Sequence, residues 1–382
     1  MSKVAIVRCT SYEASEVKAA VQRGIELIGG ASNFIKAGEK ILLKPNLLAA
    51  DLPEKCVTTH PAVFKAVAEV FKNAQANLSY GDSPCFGSPE ATARKAGIAA
   101  VAGELEIAMA DFHQGREVFF PDGVQNKKFV IARGVLDSDG IISLPKLKTH
   151  GLTRMTGCIK NQFGCIPGLL KGEYHVKLPD VQNFAQMLVD LNMLIKPRLF
   201  IMDGIMAMEG NGPRGGNPRQ MNLLMFSSDP VAIDATICRL VGLKPEFVPT
   251  IELGFKSGLG SYAEQDIEML GDDLSCFMTE DFKVERKTAA ARHLPLSGLL
   301  NNLIVAKPYI VEEGCVKCGV CINVCPVTPK VLDWPNGDKT RPPVYDYNRC
   351  IKCYCCQELC PESTIIVKAP ALRRWVDRLS GS

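Results

Sequence analysis

From Val4 to about Val284, short apolar runs alternate with stretches whose apolar residues recur at helical spacing. The runs at 4–8, 41–43, 78–81, 140–144, 199–203 and 221–226 predict strands, since they are short, β-branched or aliphatic, and bounded by turn residues. Between them the 3.6-residue period predicts helices at 13–28, 61–73, 89–96, 181–195 and 230–240. Thr59-His60-Pro61 and Ser228-Asp229-Pro230 place a capping residue or a proline where two of these helices begin. Strand and helix in alternation predict an α/β domain over 1–290 with a mainly parallel, layered sheet. A linker with an amphipathic helix is expected over 291–307, a small α+β, ferredoxin-like unit over 308–370, and a basic amphipathic tail over 371–382 carrying Arg373, Arg374 and Arg378. The apolar stretch 294–310 is interrupted by Pro295, Asn301, Asn302, Lys307 and Pro308, so no segment is expected to span a membrane.

In open parallel sheets, ligands gather beyond the carboxyl ends of the strands. The residues that follow the predicted strands are polar: Lys44-Pro45-Asn46, Gly81-Asp82-Ser83-Pro84, Pro145-Lys146-Leu147-Lys148-Thr149-His150, then Asp203-Gly204 and Glu209-Gly210-Asn211-Gly212-Pro213. Lys44, Lys146, Lys148, Lys160 and Arg154, with His150 and His175, would form a cationic pocket, because ammonium heads and glycine-rich backbone N–H groups suit phosphate or carboxylate. Asn46, Asp82, Ser83, Asn161, Glu209 and Asn211 complete the candidate binding set. Candidates for chemistry are Lys146, Lys148, His150, Lys160, Asp82 and Glu209. Asp229 and Asp234 are carboxylates of the same region, with helix capping an equal reading for Asp229, and His60 is read as structural.

Sixteen cysteines in a chain of this length point to metal ligation more than to disulfides. Cys315, Cys318, Cys321 and Cys325 follow C-x2-C-x2-C-x3-C with Pro326 next; Cys350, Cys353, Cys356 and Cys360 repeat the pattern with Pro361 next. Three closely spaced thiolates wrap one face of a cubane, while the fourth, turned by proline, serves the other cluster. The expected ligand sets are therefore Cys315, Cys318, Cys321 and Cys360 for one [4Fe-4S] cluster, and Cys350, Cys353, Cys356 and Cys325 for the second. Zinc also accepts four thiolates and is the alternative occupant. Asn336-Gly337, in the long connection between the halves, reads as a hairpin turn, and Cys355 falls out of register. Cys158 and Cys165 flank Lys160, which leaves a redox or soft-metal role open for them.

The span 308–370 resembles the bacterial-type dicluster ferredoxin, with Tyr354 standing where the first half has Gly319. The larger part carries Val57-Thr58-Thr59-His60-Pro61, Gly81-Asp82-Ser83-Pro84, Pro145 to His150, Thr156 to Gly164, Met208 to Pro213 and Asp229 to Asp234, and in these blocks it resembles the DUF362 family. That resemblance implies an iron–sulfur protein without an assigned reaction. The segment 148–168 is also faintly similar to a lysine- and glycine-containing block of nickel-dependent lactate racemases.

A composition of 47% hydrophobic and 22% charged residues excludes a largely disordered chain. The formal charge of +3 falls to about −1 once two clusters of about −2 each are counted, so no nucleic-acid partner is expected. The N-terminal residues pass straight into a strand pattern without signal-peptide character, and the cytoplasm is the expected compartment. The functional expectation is electron transfer, most simply a reductase passing single electrons from the clusters to a small anionic ligand, with a redox partner protein supplying them. A carrier or metalloprotein maturation factor docking a protein client, and an oxygen-sensing redox switch, are the two alternatives.

Overall fold

The computed structural model describes residues 1–168, 170–288, 303 and 305–370. The first strand, β1 (Ser2–Arg8), carries the run Val4-Ala5-Ile6-Val7, whose successive side chains fall into opposite hydrophobic cores. That is what a strand covered on both faces requires, because side chains alternate with a period of two. The chain continues through α1 (Ala14–Leu27), β2 (Lys40–Pro45), α2 (Pro61–Asn73), β3 (Asn77–Tyr80), α3 (Pro89–Lys95), α4 (Ile98–Glu104) and β4 (Ala108–Met109). After the hairpin of β5 (Gly115–Phe119) and β6 (Lys128–Ala132) come α5 (Arg133–Leu136), β7 (Gly140–Leu144), β8 (Lys146–His150), β9 (Arg154–Thr156), α6 (Cys158–Asn161), α7 (Leu170–Lys177) and α8 (Val181–Ile195). The long strands β10 (Leu199–Glu209) and β11 (Asn217–Ser227), then α9 (Pro230–Leu240), α10 (Pro249–Lys256) and β12 (Ile267–Gly271), complete the large unit.

Its main sheet runs in the order β12, β1, β11, β10, β7, β2, β3, β4. Every neighbouring pair on that path is parallel except those of β11, which is antiparallel to both β1 and β10. The fold is thus α/β with a mainly parallel sheet, as the pattern predicts. Helices α1, α2 and α4 cover one face through Val21, Phe64 and Ile98; α8 and α9 cover the other through Phe184 and Ile237. The helix starts follow their caps: His60 Nδ1 accepts from Ala62 N at 3.1 Å, and Asp229 Oδ1 accepts from Val231 N at 2.8 Å.

Two predicted boundaries change. Residues 146–150, read from sequence as the polar turn after the fourth strand, form β8, which pairs with β10 through Asp203 and Lys146. A strand rich in lysine reads as surface loop, yet all five residues are buried because interior acceptors meet their polar atoms. Strand β10 continues past Asp203 to Glu209 across an irregularity between Gly204 and Met206.

Near the C-terminus, β13 (Lys307–Ile310) pairs antiparallel with β16 (Ile365–Lys368), and β14 (Leu332–Asp333) with β15 (Val344–Tyr345). Of the expected linker 291–307, Lys307 opens β13; apart from residues 303 and 305–306, its remainder and the tail 371–382 lie outside the described residues. Asn336 and Gly337 have φ of 52° and 77°, the left-handed pair a tight turn needs, within the connection between β14 and β15.

The two halves of this module repeat their backbone. Lys317 and Lys352 have φ of 58° and 54°, while Gly319 and Tyr354, each just before a short helix, have 73° and 66°. A left-handed tyrosine costs roughly 1–2 kcal/mol. Its compensation is packing: Tyr354 is buried in the core of the large unit, and its hydroxyl donates to Ala306 O at 3.0 Å. Hydrogen bonds tie the module down further. Gln357 Nε2 donates to Asn211 O, Asn211 Oδ1 and Gly212 O at 3.0, 2.9 and 3.0 Å, Asn211 Nδ2 donates to Ile365 O at 3.0 Å, and an Arg214 guanidinium N–H donates to Leu359 O at 2.7 Å. No helix among the described residues is long and apolar enough to cross a membrane.

Candidate functional site: a buried lysine row beside two thiol-lined hollows

At the carboxyl end of β2, the fully buried Lys44 ammonium lies 2.8 Å from Asp82 Oδ1, just beyond β3. Asp82 Oδ2 accepts from Leu47 N at 2.7 Å. Gly164 presses against this pair, where a Cβ would sit 1.7 Å from Asp82 Oδ1 and 2.9 Å from Lys44 Nζ, so no other residue fits. Lys146 and Lys148 stand two apart on β8 and so share a side of it. Lys146 Nζ donates to Asp203 Oδ2 and to the Tyr12 hydroxyl, both at 2.8 Å, while Tyr12 donates to Asp203 Oδ1 at 2.9 Å.

Lys148 differs: its donors meet neutral acceptors, Asn46 Oδ1 at 2.8 Å and Val57 O at 2.6 Å. Burial, and then the charges of Lys160 and Lys146, lower its pKa from 10.5 to about 7. Lys171 on α7 is similar, donating to Ser83 O at 2.7 Å, with burial taking its pKa down to about 8. Lys160, half-buried on α6, meets no hydrogen-bond or ion-pair partner among the described residues. A chain of amides backs the row: Asn46 Nδ2 donates to Asn161 Oδ1 at 3.1 Å, and Asn161 Nδ2 and Gln162 Nε2 donate to Ser143 Oγ at 3.0 and 2.7 Å.

His150, at the end of β8, joins this row to the C-terminal module. Its Nδ1 accepts from Leu152 N at 3.0 Å and Thr153 N at 3.3 Å, which leaves the ring proton on Nε2, 2.9 Å from Glu358 Oε1. Burial, and then Lys160, hold the imidazole down to about 4, so it is neutral. Burial alone would raise the Glu358 carboxyl; the His150 N–H and Lys160 outweigh it and keep the carboxyl charged.

Beyond Glu358 lie two hollows. Cys325, Cys350, Cys353 and Cys356 line one, closed by Pro308, Pro326 and Tyr354 among others. Cys315, Cys318, Cys321 and Cys360 line another. The thiols stand around each hollow instead of converging: among the described residues, no three His, Cys, Asp or Glu side chains group as ligands of one ion. The Tyr345 hydroxyl donates to Cys356 Sγ at 3.3 Å, and Thr364 Oγ1 lies 3.4 Å from Cys360 Sγ, contacts of the kind that tune thiolate ligands. Four thiols at each of two hollows match the donor number and type that a pair of [4Fe-4S] cubanes takes.

Residues 41–239, just over half of the chain, match the family described as a domain of unknown function, DUF362. The chain belongs to the DUF362 family. A thylakoid-associated protein of Synechocystis is 38% identical over 266 residues, covering 69% of this chain and 82% of that protein. Among solved structures, the lactate racemase apoprotein of Thermoanaerobacterium thermosaccharolyticum is similar with a TM-score of 0.40 and 11% identity, over 61% of this chain and 55% of the racemase.

Within the DUF362 region the structure brings together Lys44, Asn46, Asp82, Ser83, Lys146, Lys148, His150, Lys160 and Asn161. Other candidates stand elsewhere. Glu209 accepts from Lys283 N at 3.0 Å, Asn211 docks the C-terminal module, and Arg154 donates to Lys287 O and Thr288 O at 2.8 and 2.7 Å. His175 is the exception: on α7 with Lys171, it stacks on Phe184 at 4.4 Å and lies near enough to Glu358 to act on its carboxyl. Asp234 accepts from Cys158 N at 2.7 Å and anchors the start of α6, with burial raising its pKa to about 7; Cys158 and Cys165 are fully buried. Sequence reasoning missed Tyr12, Lys171 and Glu358. Tyr12 follows β1, so the strand-end rule could have found it; the other two carry no local signal.

The DUF362 lysine row makes stability depend on pH through Lys148. The unfolded chain holds the Lys148 proton up to about pH 10 while the folded chain releases it near 7, so between those values the unfolded state binds more protons. This group therefore makes folding more favourable as pH rises from about 7 to about 10. Lys148→Met removes that slope, which urea unfolding at several pH values in this window measures; an unchanged slope contradicts the assignment.

Proposed function

We propose that this DUF362 protein is an iron–sulfur electron-transfer protein, a reductase whose C-terminal dicluster ferredoxin module serves a small anionic ligand bound at the lysine row. The observation that carries the reading is the sorting of eight thiols into two hollows, each lined by three cysteines of one motif and the fourth of the other. A [4Fe-4S] cluster supplies single electrons at low potential. The chain's own residues supply the rest: Tyr354, Gln357 and Glu358 fix the module on the sheet, and Lys148, Lys160 and Lys171, none of them engaged by a carboxylate oxygen among the described residues, provide positive charge for an anion. Lys44 and Lys146 are neutralised by Asp82 and Asp203 and hold the frame.

We place the protein in the cytoplasm, with a redox partner protein as donor; the name of the Synechocystis relative makes peripheral attachment to a membrane the arrangement to test alongside. Native mass spectrometry of anaerobically isolated protein tests the ligand half of the proposal. It is expected to retain a phosphate- or carboxylate-bearing molecule whose occupancy falls about tenfold or more in Lys148→Met, the loss of one charge-assisted hydrogen bond. Protein that carries no anion and gains none when offered inorganic phosphate or acetate counts against it.

A further inference from the structure

The second half of the C-terminal module repeats the first at one offset, which carries Cys315 to Cys350, Cys318 to Cys353, Cys321 to Cys356 and Cys325 to Cys360. The same offset carries Ile310 to Tyr345. Each closes a short strand, β13 and β15, and packs against the module's small core. Each also lines a hollow: Ile310 the one with Cys315, Cys318, Cys321 and Cys360, and Tyr345 the one with Cys325, Cys350, Cys353 and Cys356. The repeat breaks at a donor. Tyr345 brings a hydroxyl, which donates to Cys356 Sγ at 3.3 Å, where Ile310 has only carbon.

The hydroxyl is held in place. The Tyr345 ring stacks on Tyr347 with centroids 5.2 Å apart and planes 13° from parallel, and the Tyr347 hydroxyl donates to Pro308 O, on β13, at 2.7 Å. The hollow that Tyr345 lines is the inner one, against the large unit: Tyr354 in its wall is packed in the main core, and Pro326, also in its wall, stands where a Cβ on Gly172 of α7 would touch it at 3.4 Å. Cys356 is buried there, whereas Cys318 of the outer set is exposed. The outer hollow has a hydroxyl of its own, Thr364 Oγ1, 3.4 Å from Cys360 Sγ.

A thiolate-ligated [4Fe-4S] cluster carries a charge of about −2 and gains one more negative charge on one-electron reduction. Part of that charge falls on the ligand sulfurs, so an O–H aimed at one of them stabilises the reduced state more than the oxidised one. At a buried sulfur little water competes, and the hydrogen bond counts for more. We propose that Tyr345 is a positioning residue for the inner cluster, the one held by Cys325, Cys350, Cys353 and Cys356, and that its hydroxyl on Cys356 Sγ raises that cluster's reduction potential while leaving the cluster at Cys315, Cys318, Cys321 and Cys360 unaffected. The proposal rests on the electron-transfer reading and deepens it: a raised inner potential favours the electron at the cluster that lies against the large unit.

The test is an anaerobic redox titration of the full chain, monitored by electron paramagnetic resonance, in Tyr345→Phe, Thr364→Val and the double variant. Tyr345→Phe keeps the stacked ring and deletes only the hydroxyl, so the module keeps its packing. It is expected to lower one midpoint, the reduction equilibrium constant falling about three- to tenfold, about 28–59 mV for one electron, and to leave the other in place. Thr364→Val leaves that midpoint at its wild-type value, and the double variant shifts it as far as Tyr345→Phe alone. Unmoved midpoints, equal movement of both, a rise, or a fall of the same midpoint in Thr364→Val each overturn the proposal. Iron and sulfide counts on the same samples separate the two levels: a full complement with both midpoints unmoved overturns only the role of Tyr345, whereas wild-type protein without clusters overturns the electron-transfer reading as well.

Discussion

Lys146→Met is expected to lower the stability of the folded chain by about 3–5 kcal/mol, the usual consequence of removing one partner of a buried ion pair. Lys146 and Asp203 are 1% and 0% exposed, so no water can replace the lost ammonium. Asp203 would keep two neutral donors, the Tyr12 hydroxyl and His60 N at 3.0 Å, which bind a carboxylate but do not cancel its charge. The double variant Lys146→Met/Asp203→Asn removes the stranded charge and should recover more than half of the loss. Urea unfolding followed by circular dichroism reads both numbers. A loss below about 1 kcal/mol for the single variant would mean that the pair is solvated like a surface salt bridge, against the packing described here.

Removing the iron of the proposed clusters is expected to have the second large effect. The core of the C-terminal module is small, and four of its seven described buried residues, Cys321, Cys325, Cys356 and Cys360, are proposed ligands; Val331, Leu332 and Ile365 are the others. A unit of this size with so few apolar side chains depends on its metal for folding. Chelation should therefore abolish amide protection in β13–β16, measured by hydrogen exchange with mass spectrometry, while β1, β2 and β7 keep theirs. The loop 210–214 and the turn 150–153 should also loosen, because Gln357, Leu359 and Glu358 hold them. Unchanged protection in β13–β16 after iron has been stripped would contradict a folding role for the clusters.

The large fold was legible because its signals are local. Val4 to Val7 and Ile41 to Leu43 are apolar runs only a twice-covered strand explains, and His60 and Asp229 cap their helices by accepting from backbone N–H groups two or three residues further on. What failed was β8, where Lys146, Lys148 and His150 look solvated until Asp203, Asn46 and Glu358 are brought to them from distant segments. Tertiary pairing overrode composition there. The same limit explains the site. Strand ends pointed to Lys44, Asp82 and Lys146, but no spacing in the chain reveals that Asp82 and Asp203 neutralise two of the lysines and leave Lys148, Lys160 and Lys171 as the ones without a carboxylate. Cysteine spacing is local again, and it named the thiols that share each hollow.

Iron and acid-labile sulfide analysis of anaerobically purified protein addresses the central proposal most directly. Two cubanes require about eight iron and eight sulfide per chain. Stoichiometric zinc, or far fewer than eight irons, would contradict the electron-transfer account.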